Sequence, residues 1–168
     1  LLTKILADFL SGFYLLNFVL NHATYHIQKR WQQAEITHME TKSIEQLEKD
    51  IWKNPSEFPT DLVEKCYHYR KISIAELTSE QIRLLISQKI GIEYLIGIAL
   101  EKLKRNILTE CDFYEGDLLV AVSNLPTEFW TENKTEFLTF KNIVEQNSEI
   151  IKNELGEKEF DRINEKLT

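Results

Sequence analysis

The chain has 168 residues, 43% hydrophobic and 28% charged, which is ordinary globular composition and excludes a disordered chain. Only five Gly and three Pro occur, too few for the many tight turns of a β-sandwich or barrel, so long stretches of helix joined by short polar connections are expected. The net charge of −7 is uneven, about +1 over residues 1–38 and −8 over 39–168, and an acidic body of this kind repels a phosphate backbone and disfavours direct nucleic-acid binding.

The first twenty residues contain an apolar run, FLSGFYLLNFVL at 9–20. It is shorter than the roughly 20 residues a membrane-spanning helix needs. A signal-peptide core behind Lys4 is one reading. Against it, Asp8 stands where positive charge belongs, and no A-x-A cleavage site follows. The other reading takes Met39, the only methionine, as the native start. Residues 1–38 are then an N-terminal helical arm or upstream extension, and 39–168 form the domain. A second helical stretch in the arm carries Tyr25, Ile27, Trp31 and Ala34.

From Ser43 the helix signals sharpen. Ser43 can cap a short helix with Ile44, Leu47, Ile51 and Trp52 at helical spacing. Pro55 and Pro59 bracket a loop, after which Thr60 caps a helix bearing Leu62, Val63, Cys66 and Tyr69. Thr78 and Gln81 form a T-x-x-Q capping box directly before an apolar run with Ile82, Leu85 and Ile86 on one face. Then Ile92, Leu95, Ile96, Ala99 and Leu103 recur at helical steps, which predicts the central core helix. Gly91 and Gly97 mark a bend or close helix contacts. Lys102, Lys104 and Arg105 end this helix on the side its dipole prefers.

Residues 106–116 (NILTECDFYEG) read as a loop. Asp117 opens a short helix that Pro126 terminates, and Phe129 and Trp130 are packing anchors in the turn beyond. Thr135 begins a helix with Phe137, Phe140, Ile143, Val144, Asn147, Ile150 and Ile151 on one face, stopped by Gly156. A charged helix over 157–166 closes the chain. The pattern predicts an all-α protein, one compact helical domain of about six to eight helices.

Little of the chemistry-bearing sequence is organised for catalysis. No phosphate-binding glycine loop and no G-x-S-x-G elbow occurs. His22 and His26 have a metal-ligand spacing, but no nearby Cys or acid completes a site, and His38 and His68 stand alone, so no metal or cofactor is expected. Cys66 and Cys111 are too few for a disulfide framework, and Cys66 falls on an apolar helix face where a thiol is inert packing. A small hydrolase using Cys66 would need a base and an orienting group beside it.

One cluster stands out. Glu110, Asp112, Glu115 and Asp117 fall within eight residues, interleaved with Phe113 and Tyr114. Three readings are open. Asp117 can be a helix-start acid with the others in a solvated loop. A calcium loop is a second reading, although the spacing does not match the usual pattern. The third is an acidic recognition patch with an aromatic anchor, formed by Glu110, Asp112, Tyr114, Glu115 and Asp117, that steers a basic protein partner.

Three runs carry a resemblance: SIEQLEKDIW at 43–52, LVEKCYHYRKISIAELTSEQIRLLISQKIGIEYLIGIALEKL at 62–103, and CDFYEGDLLVAVSNLP at 111–126. They contain an L-T-x-E-x-[IL]-R-x-L-I-x-Q-x-[IL]-G core and a D-F-Y-x-G-D-L-L turn, and resemble the immunity proteins of bacterial contact-dependent growth inhibition systems. The chain departs from that pattern at Cys111, where glycine is more frequent, and at Glu115, where proline is often found. The resemblance implies a cytoplasmic, non-enzymatic, all-α protein. It would bind the C-terminal toxin domain of a cognate exported effector, commonly a nuclease. A helical adaptor for a non-toxin partner is the alternative.

Overall fold

The computed structural model describes residues 39–53, 55–111 and 113–167, together with Thr24, Lys29 and Arg30. The apolar run at 9–20, the proposed arm around Trp31, and His22, His26 and His38 lie outside the described residues. By backbone contacts the chain falls into two units, Leu1–Glu40 and Thr41–Thr168.

The second unit is all-α. Among the described residues it holds nine α-helices: α1 Ile44–Glu48, α2 Asp61–Tyr69, α3 Ser79–Ser87, α4 Ile92–Arg105, α5 Asp117–Ser123, α6 Thr127–Glu132, α7 Lys134–Gln146, α8 Ser148–Leu155 and α9 Glu157–Glu165. A 3₁₀ turn, Ile74–Glu76, precedes α3. Extended pairing among the described residues is limited to one isolated antiparallel bridge, Ser43 with Ser73.

The helix starts follow from local chemistry. Ser43 and Gln46 form a reciprocal capping box on α1, the Gln46 N–H donating to Ser43 Oγ at 3.3 Å and the Ser43 N–H to Gln46 Oε1 at 2.9 Å. Thr78 and Gln81 repeat the arrangement on α3 at 3.3 and 3.0 Å. Thr60 Oγ1 accepts from the Val63 N–H on α2. Each bond satisfies an N–H that the first helical turn leaves without a partner.

Helix α4 is the hub. Leu95, Ile96, Ala99, Leu100 and Leu103 are all buried, and α4 touches α3, α5 and α7. Around it, Leu85 and Ile86 of α3, Leu118, Leu119 and Val122 of α5, and Phe140, Ile143 and Val144 of α7 complete one continuous core. Trp130 stacks on Phe140 with ring centroids 5.5 Å apart and planes 2° from parallel. Helices α8 and α9 pack on one another, with Ile151 and Ile163 fully buried.

The helix count exceeds six to eight because two stretches resolve differently from their periodicity. Phe129 and Trp130 lie in a helix of their own, α6, rather than in a turn: α5 ends at its C-cap Asn124, and extended Pro126 stands at the N-cap position from which α6 starts. The stretch expected from Thr135 to Ile151 divides at Asn147, whose side-chain amide donates to the Ile143 carbonyl at 2.8 Å while its own carbonyl accepts from Ile151. The break shifts the helical phase, so Ile151 is buried and Ile150 is exposed. At α1 the chain turns out of the helix at Lys49, in the left-handed region with φ 55°, and Ile51 is left exposed instead of continuing the apolar face.

Gly91 and Gly97 differ. Gly91 caps α4 at φ +60°, and an added Cβ would stand 2.7 Å from Ile44 Cδ1. It is both the turn and the close contact between α1 and α4. Gly97 has nothing within 4 Å of such a Cβ, so it is neither a bend nor a contact point. Gly91→Ala is therefore expected to destabilise by about 2–4 kcal/mol, combining left-handed strain with overpacking against a fully buried isoleucine. Gly97→Ala is expected to be neutral or stabilising by up to about 1 kcal/mol. Urea unfolding of the two variants checks the contrast.

Candidate partner-binding surface

The loop between α4 and α5 is built around a buried carboxylate. Asp117 is the first residue of α5 and is 3% exposed. Its Oδ1 accepts the Cys111 N–H at 3.0 Å and its Oδ2 the Phe113 N–H at 3.2 Å. Arg83 of α3, also buried, brings its Nε to 3.6 Å from Asp117 Oδ2. The guanidinium carbon lies 4.5 Å from the centre of the Phe113 ring. The Gly116 N–H donates to the Leu108 carbonyl and the Asp117 N–H to the Tyr114 carbonyl, which closes the loop on itself.

This tether turns the loop's side chains outward. Phe113 is 69% exposed and Tyr114 48%, and Glu110 and Glu115 are exposed beside them. Asp112 lies outside the described residues. Of the five acidic and aromatic residues singled out from sequence, Glu110, Tyr114 and Glu115 thus share one exposed loop. Asp117 takes a different place: its carboxylate points inward, spent on two backbone N–H groups and the Arg83 guanidinium. It is more than a first-turn acid, because it reaches back across six residues to fix the loop that precedes it.

Gly116 sits at the base of the loop with φ +84°, and an added Cβ would lie 2.9 Å from Leu155 Cδ1. The end of α8 therefore packs against the point where the loop enters α5. Periodicity alone does not expose Arg83 or Leu155 as parts of this site. The available signal for Arg83 is that it is the lone cation in an otherwise apolar run, Ile82 to Ile86, where a buried charge calls for an acid partner.

The cysteines fit a packing role. Burial raises the Cys66 thiol above its ordinary value. Cys111 is pushed up to about 12, first by burial and then by the negative charge of Asp117. Neither is poised as a thiolate nucleophile at neutral pH. A separate open groove of ≈ 820 Å³ runs beside α6, with Trp130, Phe137 and Leu138 in its wall and Lys134 and Lys166 at its margin. The described residues contain no group of three His, Cys, Asp or Glu side chains placed to hold a metal ion. Nor is any helix among them long and apolar enough to cross a membrane.

These features define an all-α protein that presents a tethered acidic-aromatic loop at its surface. A family model described as CDI immunity proteins matches residues 46–140, more than half of the chain and all of this loop. The chain belongs to that family of contact-dependent growth inhibition immunity proteins. No curated protein and no solved structure matches it.

Proposed function

We propose that this chain binds and neutralises the C-terminal toxin domain of a cognate contact-dependent growth inhibition effector, protecting the cell that makes it. Family membership carries the reading. It acts in the cytoplasm, as a stoichiometric inhibitor without catalysis, and contacts neither nucleic acid nor membrane. The toxin is a nuclease in this proposal, and the physics suits one. A nuclease site is basic because it must hold phosphate, and the −8 body of residues 39–168 is complementary to it. Steering of this kind can raise association rates to about 10⁸–10⁹ M⁻¹s⁻¹ at low salt. Protection also requires slow release, which buried aromatic anchors supply better than rim charges.

The direct test has two arms, co-purification with the toxin domain encoded beside this chain and rescue of growth when that toxin is expressed. Failure of both would refute the proposal, and binding without rescue would favour an adaptor. Within the loop, Glu115→Lys and Glu110→Lys are each expected to slow association about fivefold at low salt and to flatten its salt dependence. Asp112→Lys should act in the same direction. Stopped-flow association at two ionic strengths, with circular dichroism to confirm unchanged helix content, measures this.

A further inference from the structure

We infer that Arg83, Asp117 and Leu155 form a rigid mount for a Phe113–Tyr114 knob, and that this knob enters an apolar pocket rimmed by lysine or arginine on the toxin domain. The inference rests on the proposed function and names the kind of surface its partner offers.

Exposure is the first observation. A phenylalanine left 69% open next to a tyrosine left 48% open contributes little to folding, so its ring is available for a partner. Tethering is the second. An exposed loop tip is ordinarily free to move, yet this one is held by both oxygens of a buried carboxylate and by backbone bonds at Gly116 and Asp117. The third is the seat under the ring. The Arg83 guanidinium, itself buried, faces the Phe113 ring at 4.5 Å, which fixes the ring's direction without covering it. The fourth comes from the far end of the chain. Leu155 packs on Gly116 closely enough that an added Cβ would lie 2.9 Å from its Cδ1, so a larger residue there would displace the leucine as well as strain the backbone at φ +84°. Residue 155 lies beyond the family-matched span 46–140, so α8 supports a loop that the matched segment presents.

Together these restrain the knob before any partner arrives. Ordering a loop at the moment of binding consumes affinity, and a preformed loop avoids that loss. Charge selects the partner: Glu110 and Glu115 flank the aromatics and favour a pocket edged by cations. Arg83 and Leu155 are positioning residues in this scheme, since neither needs to touch the toxin.

The test uses the full chain and the purified C-terminal domain of the effector encoded next to it. Phe113→Ala, an exposed change, is expected to weaken binding about thirtyfold, mostly through faster dissociation. Arg83→Met and Leu155→Ala should each weaken it about five- to tenfold in the wild-type background and scarcely at all alongside F113A. A general loss of stability would instead lower affinity equally in both backgrounds. If R83M does not fold, L155A carries the same cycle. Equal binding by wild type and F113A, or additive effects of the mount and knob substitutions, would overturn the inference while leaving the proposed function intact. No binding by wild type would remove the proposed function itself. Self-association of the free chain that F113A abolishes would assign the knob to a second copy, again overturning the inference.

Discussion

Asp117→Ala is expected to lower folding stability by about 3–5 kcal/mol, among the largest effects of any single change in the chain. Two losses combine. The N–H groups of Cys111 and Phe113 lose their acceptor, and Arg83 loses its opposite charge while still held among the buried residues of α3. With Asp117 only 3% exposed, water screens little of this interaction. Asp117→Asn is the informative companion. It is isosteric and keeps one carbonyl oxygen for one N–H, but it lacks the charge that faces Arg83, so an intermediate loss of about 1–3 kcal/mol is expected. Chemical denaturation of both variants provides the measurement. A loss below about 1 kcal/mol for the alanine variant would mean that the Arg83–Asp117 pair is not what holds the loop.

The contrast between Glu115 and Asp117 shows how far sequence could be read. Both are acids in one short cluster, and composition treats them alike. Only the fold separates them, one left in water and the other turned inward, because the difference depends on Arg83, thirty-four residues away. Helix positions were more legible, since their causes are local. Capping at Ser43, Thr60 and Thr78 and the apolar stripe of α4 are written within a few residues of where they act. Where local signals compete, legibility falls. Asn147 looks like a tolerated polar residue on an apolar face, yet its side chain bonds back to the preceding turn and separates α7 from α8. Ile51 has the right spacing to extend α1, but Lys49 takes the left-handed conformation first. The loop itself was legible as a composition, acids around two aromatics. Its mount was not, because its parts come from α3, α5 and α8.

Arg70 holds the other buried charge, and its removal is the second large effect. Its side chain is fully buried at the end of α2, where it donates to the Asp50 carbonyl at 2.9 Å, pairs with Glu48, and lies with its guanidinium carbon 4.0 Å from the Trp52 ring centre. It is the residue that fastens the segment after α1 to α2, and nothing in the periodicity of α2 announces it. Arg70→Ala is expected to destabilise by about 3–4 kcal/mol. The loss comes mainly from the cavity under Trp52 and the Asp50 carbonyl left without its donor. Arg70→Met fills most of that cavity. Glu48 and Asp50 are partly exposed, their side chains 28% and 63% open, so water can take over their solvation once the cation is gone. The methionine variant should therefore lose only about 1–2 kcal/mol. Glu48→Gln works in the opposite sense, leaving the buried guanidinium in place with a weaker partner. It is expected to lose about 1–2 kcal/mol, because Asp50 still stands 3.7 Å from Arg70 Nη2. An order of Ala, well above Met and Gln, in urea unfolding, together with faster proteolysis near Lys49 and Lys53 in R70A alone, would establish that Arg70 acts through the volume it fills more than through its charge or its bond to the Asp50 carbonyl. If R70M falls as far as R70A, the polar bonds to Glu48 and the Asp50 carbonyl dominate instead.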